Sequence, residues 1–279
     1  MPRPRSRKAG LLHRPRKRFG QHFLQDTAII ARIVAAIAPR TDERLVEIGP
    51  GLGAITLPLL QQTGRLEAIE IDRDAIEHLR RAASSVGTLQ IHEGDVLNFD
   101  FAALRGTGAQ LRAVGNLPYN ISTPLLFHLI EQREHFLDWH FMLQKEVVIR
   151  MAAGPGSKDY GRLSVMLAPF VEITPLFEIG PGAFRPPPQV TSIFARIRPH
   201  AQPPFIVRAP DCYRRLVATA FAHRRKTLRN ALRALLDEAD IERANIDPNL
   251  RPERIAPAGF AALADVLAER ALHVTGGQA

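Results

Sequence analysis

The amino-acid sequence predicts an α/β protein, in which a Rossmann-like, mainly parallel sheet is followed by a smaller, all-helical C-terminal domain. Short apolar segments alternate with amphipathic segments from residue 27 to residue 153, as in consecutive strand–helix–strand units. A glycine-rich turn at residues 49–53 joins the first of these strands to its helix. From residue 210 onward, no segment has the pattern of a strand.

The elements of the predicted sheet domain follow one another in a regular order. Isoleucines and a valine at helical spacing predict a helix over 27–38, which Pro39 ends. The expected strands are 44–48, 65–71, 88–92, 111–115 and 139–143. One helix is expected to follow the glycine-rich turn and to end at residue 61, and further helices are expected over 73–83, 122–134 and 145–153. Crossovers of this kind place helices on both faces of a parallel sheet.

The pattern changes after residue 154. Two apolar segments, 171–179 and 190–197, flank the proline-rich stretch 180–189, which predicts an antiparallel hairpin at the edge of the sheet. Segments 213–236 and 257–272 are rich in alanine, leucine and arginine and predict helices. Prolines cluster between them and the sheet, at 199, 203 and 204. We therefore expect a catalytic domain over 19–205 and a helical domain over 206–279.

The net charge of the 279 residues is +9, from 37 lysines and arginines against 28 acidic residues, and it is unevenly distributed. Eight of the cations lie in residues 1–18, which contain no acid, so the rest of the chain is nearly neutral. Such a block is typical of a disordered arm that contacts nucleic acid, although a solvated arm without a partner is the alternative. We expect residues 1–18 to form a basic, disordered arm.

Composition excludes several classes of protein. The single cysteine, Cys212, rules out an intramolecular disulfide, a paired-cysteine zinc site and an iron–sulfur cluster, and favours a reducing compartment. The longest uncharged stretch, 113–130, contains prolines, a glycine and asparagines that are unsuited to a membrane helix. His135 and His140 are not spaced to share one helical face with an acid between them, so we expect no catalytic metal.

The glycine-rich turn predicts a nucleotide-like ligand. Residues 47–53 read Glu-Ile-Gly-Pro-Gly-Leu-Gly, and Glu70 ends the next predicted strand. Glycines allow the backbone to approach a ligand, and a carboxylate about 20 residues later is placed to accept hydrogen bonds from ribose hydroxyls. Nicotinamide-dependent dehydrogenases and S-adenosylmethionine (SAM) methyltransferases both use this pattern, and a plain tight turn is the structural alternative.

Asp95 ends the third predicted strand, at the edge of the sheet where open α/β folds bind ligands. In a SAM site this carboxylate would meet the adenine amino group. The alternative is a local role, as the cap of a helix or as part of a turn beside Gly94.

The segment Asn116-Leu117-Pro118-Tyr119 follows the fourth predicted strand and discriminates best between functions. An asparagine side-chain oxygen and a backbone carbonyl can together accept both hydrogens of one exocyclic amine. This draws the amine towards pyramidal geometry and frees its lone pair to attack a methyl sulfonium. Pro118 biases Leu117 to an extended backbone, and the ring of Tyr119 could stack on a flat base. The segment therefore predicts methylation of an amino group on a nucleobase.

Together these motifs identify a resemblance to the ribosomal RNA adenine N6-dimethyltransferases, and in particular to the bacterial small-subunit (16S) branch, the KsgA/RsmA type. The resemblance runs from residue 17 to residue 230. The matching segments are 17–24, 46–53, 70–72, 94–95, 116–119, 144–146, 160–165, 184–192 (Phe-Arg-Pro-Pro-Pro-Gln-Val-Thr-Ser) and 224–230. It implies a class I SAM-dependent methyltransferase sheet, with SAM as cofactor and S-adenosylhomocysteine as product.

The resemblance also implies roles for individual residues. The cofactor would be bound by His22, Leu24, Gly49, Gly51, Glu70, Asp95 and Asn116. Many family members have asparagine in place of His22, and a backbone contact there would survive the change. The catalytic residues would be Asn116, Leu117, Tyr119 and Phe184. Phe184 resembles the second of two aromatic residues that sandwich the flipped adenine. Without the resemblance, a phenylalanine at this position would be interpreted as part of the buried hydrophobic core.

Four cations, Arg224, Arg225, Lys226 and Arg229, lie on a segment that is otherwise apolar and predicted to be helical. Phosphate contacts would explain them, because cations supply most of the non-specific affinity for RNA. A solvated helix face is the alternative reading.

The resemblance implies dimethylation of N6 on two adjacent adenosines, in the hairpin loop near the 3′ end of 16S rRNA, during small-subunit biogenesis. The protein would be a cytoplasmic monomer whose partner is the small ribosomal subunit. Large-subunit adenine methyltransferases that confer macrolide resistance share the first domain, although segments 160–165 and 224–230 favour the small-subunit branch. A non-catalytic assembly or transcription factor and a dehydrogenase are more distant alternatives.

Overall fold

The computed structural model describes residues 22–276, with side chains described as far as Ala271. The predicted arm, residues 1–18, lies outside the described residues. The strands are β1 (Phe23–Leu24), β2 (Arg44–Ile48), β3 (Arg65–Glu70), β4 (Thr88–Glu93), β5 (Leu111–Asn116), β6 (Phe136–Gln144), β7 (Val171–Ile179), β8 (Phe184–Arg185) and β9 (Ser192–Pro199). The helices are α1 (Thr27–Ile37), α2 (Thr56–Thr63), α3 (Arg73–Ala83), α4 (Phe101–Arg105), α5 (Ser122–Glu131), α6 (Lys145–Ala152), α7 (Arg162–Leu167), α8 (Pro210–Ala222), α9 (Leu228–Leu232), α10 (Glu238–Arg243) and α11 (Pro257–Gly276).

Seven strands form one sheet in the order β4-β3-β2-β5-β6-β9-β7. The first five are parallel to one another, and β9 runs antiparallel between β6 and β7. This confirms the predicted parallel sheet and its antiparallel edge hairpin. The carboxyl ends of β2, β3, β4 and β5 therefore meet at one edge of the sheet, and the segments that follow these strands carry the predicted functional residues.

Local sequence explains the regular elements around this sheet. In α3, Asp72 accepts a hydrogen bond from the backbone N–H of Asp74 and caps the helix. Buried residues then recur at intervals of one, three and four, at Ala75, Ile76, Leu79 and Ala83, so one face packs on the sheet. The strand β5 is buried along almost its whole length, as expected for a strand with helices on both faces.

Three hydrophobic cores organise the part of the chain that the structure describes. Two of them cover the two faces of the sheet, one around Trp139 and the other around Leu59. The third packs the C-terminal helices together with Tyr160 and Val165, which precede the expected domain boundary. The Tyr213 hydroxyl donates to the Val165 carbonyl at 2.8 Å, so the helical region draws part of its core from segment 160–166.

The predicted helix over 213–236 is wrong, because the chain leaves the helical path after α8 and begins α9 only at Leu228. The backbone N–H of Leu228 donates to the Leu250 carbonyl at 2.8 Å, and that of Arg229 donates to the Pro248 carbonyl at 3.1 Å. These N–H groups bond to a distant loop instead of to the preceding turn of a continuous helix.

Within residues 22–276, no helix combines the length and the apolar character that crossing a membrane requires.

Candidate active site at the carboxyl edge of the sheet

A cavity of about 520 Å³ opens at the carboxyl edge of the sheet. Its wall is formed by the turn after β2, by the ends of β3, β4 and β5, and by β1, which pairs with β8 in a separate two-stranded sheet. The predicted residues that line it are His22, Leu24, Gly49, Gly51, Glu70, Asp95, Asn116, Leu117 and Tyr119. The structure therefore brings together nine predicted residues from five segments of the sequence.

The turn between β2 and α2 adopts backbone conformations that favour glycine. Gly49, Gly51 and Gly53 have φ angles of 66°, 55° and 88°, in the left-handed region. A Cβ atom on Gly51 would also lie 3.3 Å from the ring of Phe23. The backbone can therefore line the cavity closely at this turn, as binding of a nucleotide-like ligand requires.

The Glu70 carboxylate is held in place by three backbone N–H groups. Its Oε1 accepts hydrogen bonds from Ile71 and Asp72, both at 2.9 Å, and its Oε2 accepts one from Gly51 at 3.1 Å. Because a carboxylate oxygen can accept about two hydrogen bonds, Oε2 retains acceptor capacity. Glu70 therefore both fixes the glycine turn and offers an oriented acceptor of the kind that a ribose hydroxyl needs.

Glu47, at the start of the same turn, is a buried carboxyl group that the sequence did not single out. It lines the cavity and is only 2% exposed, and its Oε2 has no hydrogen-bond partner within the described residues. Burial raises the pKa of Glu47 to about 8, and the charge on Glu70 adds to the shift. At neutral pH this side chain is therefore mainly a neutral acid.

Asp95 has the local role of a cap and also lies at the cavity. Its Oδ1 accepts a hydrogen bond from the backbone N–H of Leu97 at 3.0 Å and caps the short 3-10 helix Val96–Asn98. The residue also lines the cavity, at the end of β4. The cap fixes the carboxylate, and Oδ2 provides a second acceptor.

Asn116 ends β5 at the lip of the cavity, and its side chain has a fixed orientation. The amide nitrogen Nδ2 donates a hydrogen bond of 2.9 Å to the backbone carbonyl of His22. Since Nδ2 is engaged as a donor, Oδ1 is the atom of this side chain that can accept a hydrogen bond from a substrate. The Leu117 carbonyl follows directly in the chain.

Tyr119 is held by two contacts. Its hydroxyl lies 2.8 Å from the Ser192 hydroxyl, and its ring centroid is 5.9 Å from that of His22. His22 is itself joined to the loop after β8, because its Nδ1 lies 2.8 Å from the Pro186 carbonyl oxygen. Two segments that are distant from Tyr119 in the sequence, the one that holds His22 and the one over 184–192, thus support its ring beside the cavity.

Phe184 is absent from the residues that line the cavity. Its side chain is 5% exposed, and it belongs to the core that covers one face of the sheet. In β8 it pairs with Leu24 of β1, a strand that lines the cavity. In this structure Phe184 therefore supports the cavity wall from behind, as the core reading of the sequence described.

The predicted RNA-binding cations lie mainly in the loop between α8 and α9 and not on a continuous helix. Arg224 is engaged within the protein, with its Nε 3.0 Å from Glu253 and its Nη2 donating to the Lys158 carbonyl. Arg229 forms a 3.6 Å ion pair with Glu238. Arg225 and Lys226 are exposed, and neither has an ion-pair partner in the described part of the chain. These two cations remain accessible to a partner.

Among the residues that the structure describes, no group of three or more histidines, cysteines, aspartates or glutamates is arranged to hold a metal ion.

The model of one protein family, described as ribosomal RNA adenine dimethylase, matches residues 12–269 of the chain. The chain belongs to this family. S-adenosylmethionine is the methyl donor of the family, and the cavity offers it suitable groups: an open glycine turn, the oriented Glu70 carboxylate and the second carboxylate of Asp95.

Relatives within the dimethylase family extend over nearly the whole chain. Ribosomal RNA small subunit methyltransferase A of Pseudomonas aeruginosa is 53% identical over 257 residues, covering 92% of this chain and 96% of the relative. The protein of the same name from Methylococcus capsulatus is 53% identical over 251 residues, covering 90% and 97%. The predicted family is confirmed.

Solved structures confirm the predicted fold. A dimethyladenosine transferase from Plasmodium falciparum superposes with a TM-score of 0.71 at 23% identity, covering 90% of this chain and 98% of that one. The 23S rRNA methyltransferase ErmE superposes with a TM-score of 0.68 at 23% identity, covering 88% and 99%. The dimethylase chain thus has the class I SAM-dependent methyltransferase fold with a C-terminal helical region.

Proposed function

We propose that this protein transfers methyl groups from SAM to N6 of two adjacent adenosines, in the hairpin loop near the 3′ end of 16S rRNA, during biogenesis of the small ribosomal subunit. The orientation of Asn116 carries the part of this proposal that concerns methylation of an amine, and the relatives named small subunit methyltransferase A support the choice of RNA. The Asn116 Nδ2 is bound to the His22 carbonyl, which leaves Oδ1 to accept a hydrogen bond at the lip of a cavity suited to SAM. We further propose that the protein acts in the cytoplasm as a monomer.

The methyl donor would lie along the carboxyl edge of the sheet. Glu70 would accept hydrogen bonds from the ribose, and Asp95 would accept one from the adenine amino group. Gly49 and Gly51 permit close approach of the backbone, while Leu24 and the backbone at His22 would close the cavity from β1. When bound, SAM supplies an electrophilic methyl group on a sulfonium.

Asn116 and Leu117 would prepare the nucleophile. The Asn116 Oδ1 and the Leu117 carbonyl would each accept one hydrogen of the adenine N6 amine and thereby orient its lone pair towards the methyl group. No strong base is required, because N6 becomes acidic once alkylated and releases its proton readily. The main contribution of the protein is therefore positioning.

Tyr119 would stack on the adenine once the base has left its own stack. The sandwich with Phe184 stays a prediction. Because the Phe184 ring is buried in the core, its contact with a base requires a shift of β8. Tyr119 is the aromatic residue of this pair that the cavity already presents.

RNA would reach the site along the helical region. Arg225 and Lys226 are the accessible cations of the loop after α8, and phosphate contacts there would position the RNA without reading its sequence. Arg224 and Arg229 would act mainly by shaping this loop, since both are paired with acidic residues of the protein.

The test is methyl transfer from labelled SAM to small ribosomal subunits that lack their own adenine methylation, with large-subunit RNA as a parallel substrate and nucleoside analysis of the product. We expect N6-dimethyladenosine in the small-subunit RNA alone. Label in the large-subunit RNA would instead assign the protein to the large-subunit adenine methyltransferases that confer macrolide resistance. Binding of RNA without label in either would favour an assembly factor that lacks catalysis.

A further inference from the structure

The hydroxyl of Tyr119 lies 2.8 Å from the hydroxyl of Ser192, which is 73 residues away in the sequence. Tyr119 lines the cavity, whereas Ser192 is completely buried and is not part of the lining. Ser192 is the last residue of the Phe-Arg-Pro-Pro-Pro-Gln-Val-Thr-Ser segment. The proposed reaction assigns no role to it.

Ser192 is anchored on both sides by the sheet. As the first residue of β9, it pairs with Gln144 of β6 and with Ile179 of β7. The preceding residue is also fixed, because the backbone N–H of Lys145 donates to the Thr191 carbonyl at 2.9 Å. A hydroxyl on this backbone therefore has a well-defined position at the carboxyl end of β6.

Tyr119 belongs to the loop between β5 and α5, outside the strand ladder. Its ring meets His22 on one side, at a centroid distance of 5.9 Å and an interplanar angle of 30°. The bond to Ser192 acts on the hydroxyl, which lies on the long axis of the ring, so it fixes the direction in which the ring extends, while His22 lies beside the ring and restrains its plane. The position of the ring is therefore restrained by a buried residue that lies outside the cavity lining.

We propose that Ser192 is a positioning residue, which holds the Tyr119 ring at the position needed to stack on the target adenine. This inference rests on the proposed function. In each transfer the N6 lone pair forms a bond to the methyl carbon as the carbon–sulfur bond breaks, and N6 then releases a proton to solvent.

The second transfer depends more strongly on this stack than the first. Unmodified adenine offers two N–H hydrogens, one for the Asn116 Oδ1 and one for the Leu117 carbonyl. N6-monomethyladenine offers only one, so hydrogen bonds orient it less and stacking has to hold it. Loss of the Ser192 contact should therefore slow the second methylation more than the first.

The experiment uses the full chain and undermethylated small subunits, with Ser192→Ala, Tyr119→Phe and the double variant. Each removes the same hydrogen bond, and Tyr119→Phe leaves β9 untouched. For each single variant we expect the second transfer to slow by about 3–10-fold, the equivalent of one hydrogen bond, with accumulation of N6-monomethyladenosine. The KM for the subunit should change little, and the double variant should be no slower than the slower single variant.

Ser164→Ala is the matched control, because Ser164 is also a buried serine whose hydroxyl bonds within the protein, to the Arg150 carbonyl. It should alter thermal stability without altering the ratio of monomethylated to dimethylated product.

An unchanged ratio in Ser192→Ala, or additive losses in the double variant, would overturn the positioning role. If the wild-type protein itself produced no N6-dimethyladenosine, the proposed function would fail, which is a distinct result.

Discussion

The amide nitrogen of Asn116 donates a hydrogen bond of 2.9 Å to the backbone carbonyl of His22, across 94 residues of sequence. This contact distinguishes the two ends of the amide, because the nitrogen is used internally and the oxygen is left for the substrate. It also joins the residue that precedes β1 to the end of β5, so this wall of the cavity and the proposed catalytic residue are positioned together.

Replacement of Asn116 by alanine should abolish methyl transfer and leave RNA binding largely intact. The variant removes the acceptor for the N6 amine, and loss of one such oriented group typically lowers turnover by about 100-fold or more. Methyl transfer and RNA affinity should be measured on the same preparation. Asn98→Ala, at an exposed asparagine outside the cavity lining, is the control. Equal loss of transfer and binding would show that Asn116 is structural.

Replacement of His22 by asparagine should preserve activity to within about threefold, since the contact to Asn116 uses the His22 backbone and survives the change. The variant loses the contact between His22 Nδ1 and the Pro186 carbonyl, so a small decrease in thermal stability is expected. Steady-state rates and thermal unfolding of His22→Asn and His22→Ala provide the measurement. A collapse of turnover in His22→Asn at unchanged stability would assign a direct role to the imidazole.

Glu47 should make stability depend on pH. Its pKa is raised from 4.5 to about 8 in the folded protein, so the folded state binds more protons than the unfolded state between these values. The stabilisation is therefore complete below pH 4.5 and is lost as the pH rises towards 8. Urea unfolding between pH 5 and 8 should show a flatter profile for Glu47→Gln than for the wild type, with the greatest gain for the variant at pH 8. Parallel profiles would contradict the assignment.

The loop after α8 should contribute to the salt dependence of RNA binding. Arg225→Ala and Lys226→Ala should each weaken binding and reduce the salt slope by about 1, because each removes one phosphate contact. Arg65→Ala is the control, since Arg65 is exposed at the start of β3, at the opposite edge of the sheet from the cavity. Affinity should be measured over a series of salt concentrations. An unchanged slope in both loop variants would remove the loop from the RNA interface.

Features that depend on neighbouring residues were predicted correctly from the sequence. The glycine turn, the carboxylate of Glu70 and the segment from Asn116 to Tyr119 each lie at the end of a strand that its apolar pattern predicted. Because parallel strands place their carboxyl ends at one edge, the order of elements along the chain was enough to predict that these groups meet.

Features that depend on distant partners could not be predicted in this way. The helix expected over 213–236 has a favourable local composition, but the N–H groups of Leu228 and Arg229 bond to the loop around Leu250. The pair of two-residue strands β1 and β8 is too short to produce a pattern. Phe184 carries no local mark that distinguishes a ring facing a ligand from a ring facing the core.

The sequence by itself determined the sheet, the cavity edge and the chemical groups presented there, since these follow from local periodicity and from the parallel connection of strands. The tertiary structure alone decided which way those groups face. The Asn116 amide is oriented by the His22 carbonyl, Tyr119 is held by Ser192, and Glu47 is made a neutral acid by burial. Hydrogen-bond direction and desolvation arise between segments far apart in the chain, and they exist only once those segments have packed together.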